Sequence, residues 1–188
     1  MLRAMSDPGG GPSAGTVAGT VAAPPAEPRV VVYPSATLRP VPSFVFALPA
    51  GWVVDEAPDV LGVVRTPQAV DDFWVNATIS HDRLARTVDL EAAAKATWAR
   101  IQQDSPSAKA TMERVARFGS NIVYVRGVEL DAPQTGRRLA QVHALFFAPP
   151  VEGAKTTDFF QVIATCPAER MDAFGPVFVA LISSFQFA

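Results

Sequence analysis

Cys166 is the only cysteine of the chain, and the only two histidines, His81 and His143, stand 62 positions apart. These are the side chains that most often act as nucleophile, general base or metal ligand near neutral pH, and catalysis needs them in positioned pairs. The spacing supplies no such pair. Cys166 ends an apolar run whose alternate members Phe160, Val162 and Ala164 share its strand face, so a buried, inert thiol is expected. Only an exposed thiol there would be activated by the start of a following helix. His143 shares a face with Gln141, whereas Val142, Ala144 and Phe146 line the other. If the two strands pair as a simple hairpin, His143 falls beside Ile163, and Gln141, His143, Gln161 and Thr165 form a polar stripe. That stripe is either a cleft under a helix or an ordinary hydrogen-bonded sheet face.

No HExxH, CxxC, DxDxDG or GxSxG run occurs, and Gly9-Gly10-Gly11 lacks both the preceding strand and the Gly-Lys-Ser/Thr of a phosphate loop. No catalytic, metal-binding or cofactor-binding residue is assigned, and no cofactor is expected. Candidate interaction residues are Trp74, Gln141, His143 and Gln161. Trp74 is singled out because it falls on the polar parity of its strand, where an aromatic ring is available to a partner. Trp98 sits on the apolar side of a helix and is expected in the core, and Trp52 closes a turn at the sheet edge.

The elements that must position these residues are legible from periodicity. Phe44 to Trp52 reads as a short strand with Phe44, Phe46 and Leu48 inward, halted by Pro49 and turned at Gly51, where positive φ costs glycine nothing. Val60 to Val64 and Phe73 to His81 read as strands, the latter with Phe73, Val75, Ala77 and Ile79 on one face. Asp89 is a helix N-cap, followed by Leu90, Ala94, Trp98 and Ile101 at helical spacing. Four strands follow, about Thr111 to Phe118, Ile122 to Leu130, Arg138 to Ala148 and Asp158 to Thr165. Their short connections favour antiparallel neighbours. Arg170 to Ser184 is a second helix with Phe174, Phe178, Leu181 and Ile182 on one face, expected to kink or start late at Gly175-Pro176. The order predicts an α+β fold around a mainly antiparallel β-sheet flanked by helices.

Residues 1–42 hold 8 of the 17 prolines and 5 of the 12 glycines, with no Phe or Trp. This composition predicts a disordered spacer, with Val30 to Tyr33 the one stretch able to add an edge strand. Residues 43–188 are expected to form a single domain. The net charge is −2, and the 13 Arg and 3 Lys are scattered, which excludes the basic stripe of a nucleic-acid partner. No apolar run reaches the ~20 residues of a membrane helix. The first residues lack the pattern of a secretory signal, and no cysteine near the N-terminus would take a lipid. A soluble, cytoplasmic protein is the expectation from the residues alone.

Phe46-Ala47-Leu48-Pro49-Ala50-Gly51-Trp52, the strand Trp74-Val75-Asn76-Ala77-Thr78-Ile79, and the pair Asp158 to Thr165 with Leu181-Ile182-Ser183-Ser184-Phe185 resemble, in this order, the LpqN/LpqT family of actinobacterial proteins. That family has the PsbP-like fold. The resemblance covers about residues 43 to 187 and implies an α/β/α sandwich and no established enzymatic activity. It also implies a location at the cell envelope or outside the cell, which the missing signal and lipobox cysteine of this sequence do not match. Three functions are weighed: a non-enzymatic accessory or interaction domain, a carrier of an apolar lipid or glycolipid, and an enzyme using Cys166 or His143, which the lack of a paired base disfavours. The partner is an unidentified protein or an apolar ligand.

Overall fold

Apolar residues at alternate positions, with the central strands β7 and β8 apolar on both faces, build a seven-stranded antiparallel sheet in spatial order β2-β3-β4-β8-β7-β6-β5. The computed structural model describes residues 34–35 and 38–188. Val30 to Tyr33 and most of the 1–42 segment lie outside the described residues. The elements run β1 (Phe44–Val45), β2 (Val53–Asp55), β3 (Gly62–Arg65), β4 (Asn76–Ala85), α1 (Leu90–Asp104), β5 (Lys109–Phe118), β6 (Asn121–Asp131), β7 (Arg138–Phe147), β8 (Thr156–Pro167), α2 (Met171–Ser183) and β9 (Gln186–Phe187). One 3-10 turn, Ala168–Arg170, leads into α2. The fold is α+β, with one helix on each face of the sheet.

β5 to β8 form the expected meander, and β4 closes on β8 through ten pairs from Asn76↔Thr165 to Ala85↔Thr156. Under α2 the inward residues Val64, Ala77, Ile79, Val125, Ala144, Phe146, Phe160, Val162, Ala164 and Cys166 meet Phe178, Leu181, Ile182 and Phe185. This main core is rich in edge-to-face and offset rings, among them Phe146 against Phe185 at 5.0 Å and Phe160 against Phe187 at 5.1 Å. Gly51 turns at φ 76° as expected.

Several expectations need correction. Phe44 and Phe46 pack on the core, but Leu48 is exposed, because only Phe44–Val45 pairs with a strand, the terminal β9. β4 starts at Asn76, three residues after Phe73, since Phe73 bridges back to Val70 instead. α2 neither starts late nor breaks at Pro176, but runs through it from Met171. Pro176 is exposed, so its ring needs no room in the core and the carbonyl of Asp172 that it leaves unbonded faces water. Contacts with the sheet also begin ahead of residue 43: Arg39 reaches Asp158, and Val41 packs on the main core.

Candidate functional site

α1 positions everything on the second face. Asp89 caps it by accepting the Ala92 N–H at 2.7 Å, and Glu91 in the first turn pairs with Lys95. Its buried residues are the small Ala93 and Ala94, which let the backbone lie close over Leu145 and Phe159. Trp98 and Ile101 pack beside a smaller cluster of Ala108, Val128, Leu130 and Leu139. Trp98 is thus only partly buried, a correction to its expected core role. Its ring covers a charge.

That charge is Arg126, 1% exposed and the largest fully buried side chain. Its Nε donates to Glu113 Oε1 at 2.6 Å, and its terminal nitrogens donate to the Ala94 carbonyl at 3.3 Å. The guanidinium lies 4.8 Å from the Trp98 ring centroid and 5.2 Å from that of Tyr124. Tyr124 donates its hydroxyl to the other Glu113 oxygen at 2.9 Å, and these two bonds hold the Glu113 carboxyl below its ordinary range. Sequence reading missed this group. The signal was present in the two-residue turn Gly119-Ser120, which sets Phe118 opposite Asn121 and, counting back along both strands, Glu113 opposite Arg126.

His143, on β7, stands opposite Arg126 of β6 and, as expected, opposite Ile163 of β8. It is buried, and its Nε2 is 2.7 Å from Gln141 Oε1. The amide oxygen can only accept, so Nε2 carries the proton. Gln141 passes the chain on to Thr165 Oγ1 at 3.2 Å. Nδ1 is left as a buried acceptor without a partner. Burial, then the Arg126 charge, lowers the His143 pKa to about 4. Three members of the expected stripe, Gln141, His143 and Thr165, are therefore joined under the helix. Gln161 is not: it lies opposite Leu145 and donates to Asp82 Oδ2 on β4 at 3.3 Å.

Two grooves flank α1. One, of about 750 Å³, opens between the helix and the β4–β8 side of the sheet, with Thr78, Asp82, Gln161 and Ile163 on its floor and Thr97 and Arg100 on its wall. The other, of about 640 Å³, lies toward β5–β6 and is lined by Leu90, Trp98, Val115, Ile122, Tyr124 and Arg126. Trp74 is 46% exposed, two residues ahead of β4 and on the parity of Asn76 and Thr78. The Arg65 guanidinium stacks 4.4 Å from its ring centroid and also pairs with Asp55. Cys166 sits on the opposite face, fully buried, and burial, with Glu169 second, pushes its pKa up to about 11.

Among the described residues, the other buried charge is Asp158, at the end of the α2 face. Arg83 and His81 each reach it at 2.9 Å and Arg39 at 3.2 Å. Burial pushes its carboxyl up, but the bonds from Arg83 and His81 and the Arg39 charge prevail and hold it below its ordinary value. Arg83 also donates to the carbonyls of Arg39 and Pro40, which fastens the incoming chain. Among the described residues no group of three or more His, Cys, Asp or Glu is placed to hold a metal ion. No described helix is long and apolar enough to cross a membrane.

No protein-family model matches the chain, and no curated protein sequence matches it. Solved structures do. The chain is similar to the crystal structure of LpqN, involved in cell envelope biogenesis of Mycobacterium tuberculosis, at 11% identity and a TM-score of 0.64, over 78% of this chain and 84% of that one. It is also similar to the solution structure of the cyanobacterial PsbP, CyanoP, of Synechocystis sp. PCC 6803, at 14% identity and a TM-score of 0.53, over 77% and 86%. The molecule has the PsbP-like fold that the ordered motifs of the sequence resemble.

Proposed function

We propose that the chain is a non-enzymatic accessory domain that binds another molecule in the groove between α1 and the β4–β8 side of the sheet. The observation that carries this reading is the groove itself, open, about 750 Å³ in volume and lined by both polar and apolar groups, the mixture that orients a ligand while burying part of it. The two side chains with catalytic potential are spent elsewhere. His143 is buried and neutral at pH 7, bonded to Gln141, and the Cys166 thiol stays protonated in the core on the far side. Neither can exchange a proton with a substrate in the groove.

Trp74, exposed and on the strand parity of Thr78 in the groove floor, is the proposed aromatic anchor for a partner that reaches beyond the groove. The setting of cell envelope biogenesis, named for the LpqN of similar fold, belongs to this proposal on fold likeness alone. The test is site-specific photo-crosslinking in the native host. A photoreactive residue at Gln161 should capture a partner, Trp74→Ala should reduce the yield, and the same probe at Val54 should capture none. Capture from both positions alike would defeat the reading.

An apolar ligand is the second reading, favoured by Leu90, Val115 and Ile122 in the other groove. The many phenylalanines that prompted it mostly pack on one another in the core. Native mass spectrometry separates the two, because a carrier keeps a lipid-sized adduct and an adaptor does not.

A further inference from the structure

The two edges of the large sheet are unlike. β2 is three residues long, a common way to blunt an edge. β5 runs for ten residues, and among the described residues nothing pairs with its outer side. It contains no proline, and Val115 and Met112 stand exposed on it. Apart from the irregularity between Ala110 and Met112, it is a regular template for another strand.

The turn Gly119-Ser120 decides which backbone groups of β5 are free. Phe118 and Asn121 are the first and fourth residues of this β-turn and face each other across the ladder, so they share a backbone hydrogen bond. Bonding direction alternates along an antiparallel strand. Phe118, Ala116, Arg114 and Met112 therefore bond to β6, and the N–H and C=O groups of Arg117, Val115 and Glu113 point away from the sheet.

We propose that these groups pair with their equivalents in a second copy of the chain, in a symmetric antiparallel dimer whose two-fold axis passes beside Val115. An axis perpendicular to the sheet brings residues of like parity opposite one another. Centring it on Glu113, Arg114 or Arg117 sets like charges face to face, which is unfavourable. Centring on Met112 runs into the irregularity, and centring on Ala116 sets Val115 against Arg117. Centring on Val115 sets valine against valine and Glu113 against Arg117 on the α1 face, and Met112 against Phe118 on the other. Glu113 already accepts from Arg126 and Tyr124, one bond to each oxygen, and a carboxylate has about four acceptor sites, so it is held in place with lone pairs to spare. The axis also brings together the two copies of the groove lined by Val115 and Ile122, which adds apolar surface to the backbone ladder.

Sedimentation equilibrium of the full chain should show a reversible monomer–dimer equilibrium. Val115→Glu sets two carboxylates on the axis and should raise the dimer dissociation constant by roughly tenfold or more, with the circular dichroism spectrum unchanged and melting unchanged at concentrations where the wild type is also monomeric. Arg117→Glu should do the same, by facing Glu113. A short bis-maleimide should join Val115→Cys into a covalent dimer and leave Val54→Cys, on the opposite edge, monomeric. A wild-type chain that stays monomeric, or a dimer indifferent to both charge changes, overturns the proposal. So does a dimer that resists both but is lost on removing residues 1–33, because the contact then lies in that segment, where Val30 to Tyr33 is the apolar extended candidate.

Discussion

His143 is kept neutral by the packing that hides it, and its titration should be visible in stability. Burial and the Arg126 charge lower its pKa from 6.5 to about 4. The unfolded chain takes up a proton near pH 6.5 that the folded chain refuses until about pH 4, so this contribution is full above the window and is lost as the pH falls through it. The difference corresponds to roughly 3 kcal/mol. Denaturant melts across that range should show the slope in the wild type, and His143→Leu should flatten it; equal slopes in both would sink the assignment. Asp158 acts at lower pH. Its carboxyl is held below the ordinary 3.8, so its share of stability is present above that value and is lost only as the pH drops further. At this scale the sequence was half legible. Gln141 and His143 lie two apart on one strand, and a hairpin brings Thr165 beside them. Arg126 escaped notice because a charged residue in an alternating run reads as outward-facing, while its partners come from two separate features, Glu113 from the β5–β6 turn register and the roof of Trp98 from helix α1.

Helix α1 owes its closeness to the sheet to two methyl-sized side chains. Ala94 is fully buried and its carbonyl accepts from Arg126. Ala94→Leu should lift the helix, loosen that bond and cost about 2 kcal/mol in a urea melt. Ala99→Leu, on the exposed side of the same helix, should change stability by less than about 0.5 kcal/mol; equal effects would show that the helix does not seat through Ala94. Long elements were the readable ones, because β5 to β8 and α1 each repeat their period several times. β1, β2 and β9 are two or three residues long and have no period to read. The β4–β8 ladder joins Asn76 to Thr165, a non-local pairing that no neighbouring residues encode. Pro176 misled because proline's cost in a helix depends on what surrounds it.

For the molecule as a whole, the clasp of Arg39 and Arg83 on Asp158 marks where the N-terminal segment begins to matter. Removing residues 1–37 should leave the thermal melt unchanged, whereas removal through Val41 should cost about 1 to 3 kcal/mol, since it takes a partner from a buried carboxylate and an apolar side chain from the core. Identical melts for the two truncations would show that the clasp holds nothing. β1 and β9 have a separate consequence. Phe44 faces Phe187, and the Ala188 N–H donates to the Ser43 carbonyl at 3.0 Å, so residues 43 and 188 meet side by side. The fold can therefore be treated as a ring. A few residues joining 188 to 43 and a new opening at the exposed Gly153 turn should yield a circular permutant with the same sheet order, less stable only by what the Arg39 and Val41 contacts contribute, and that unit could be spliced into a surface loop of another protein without prising that loop apart.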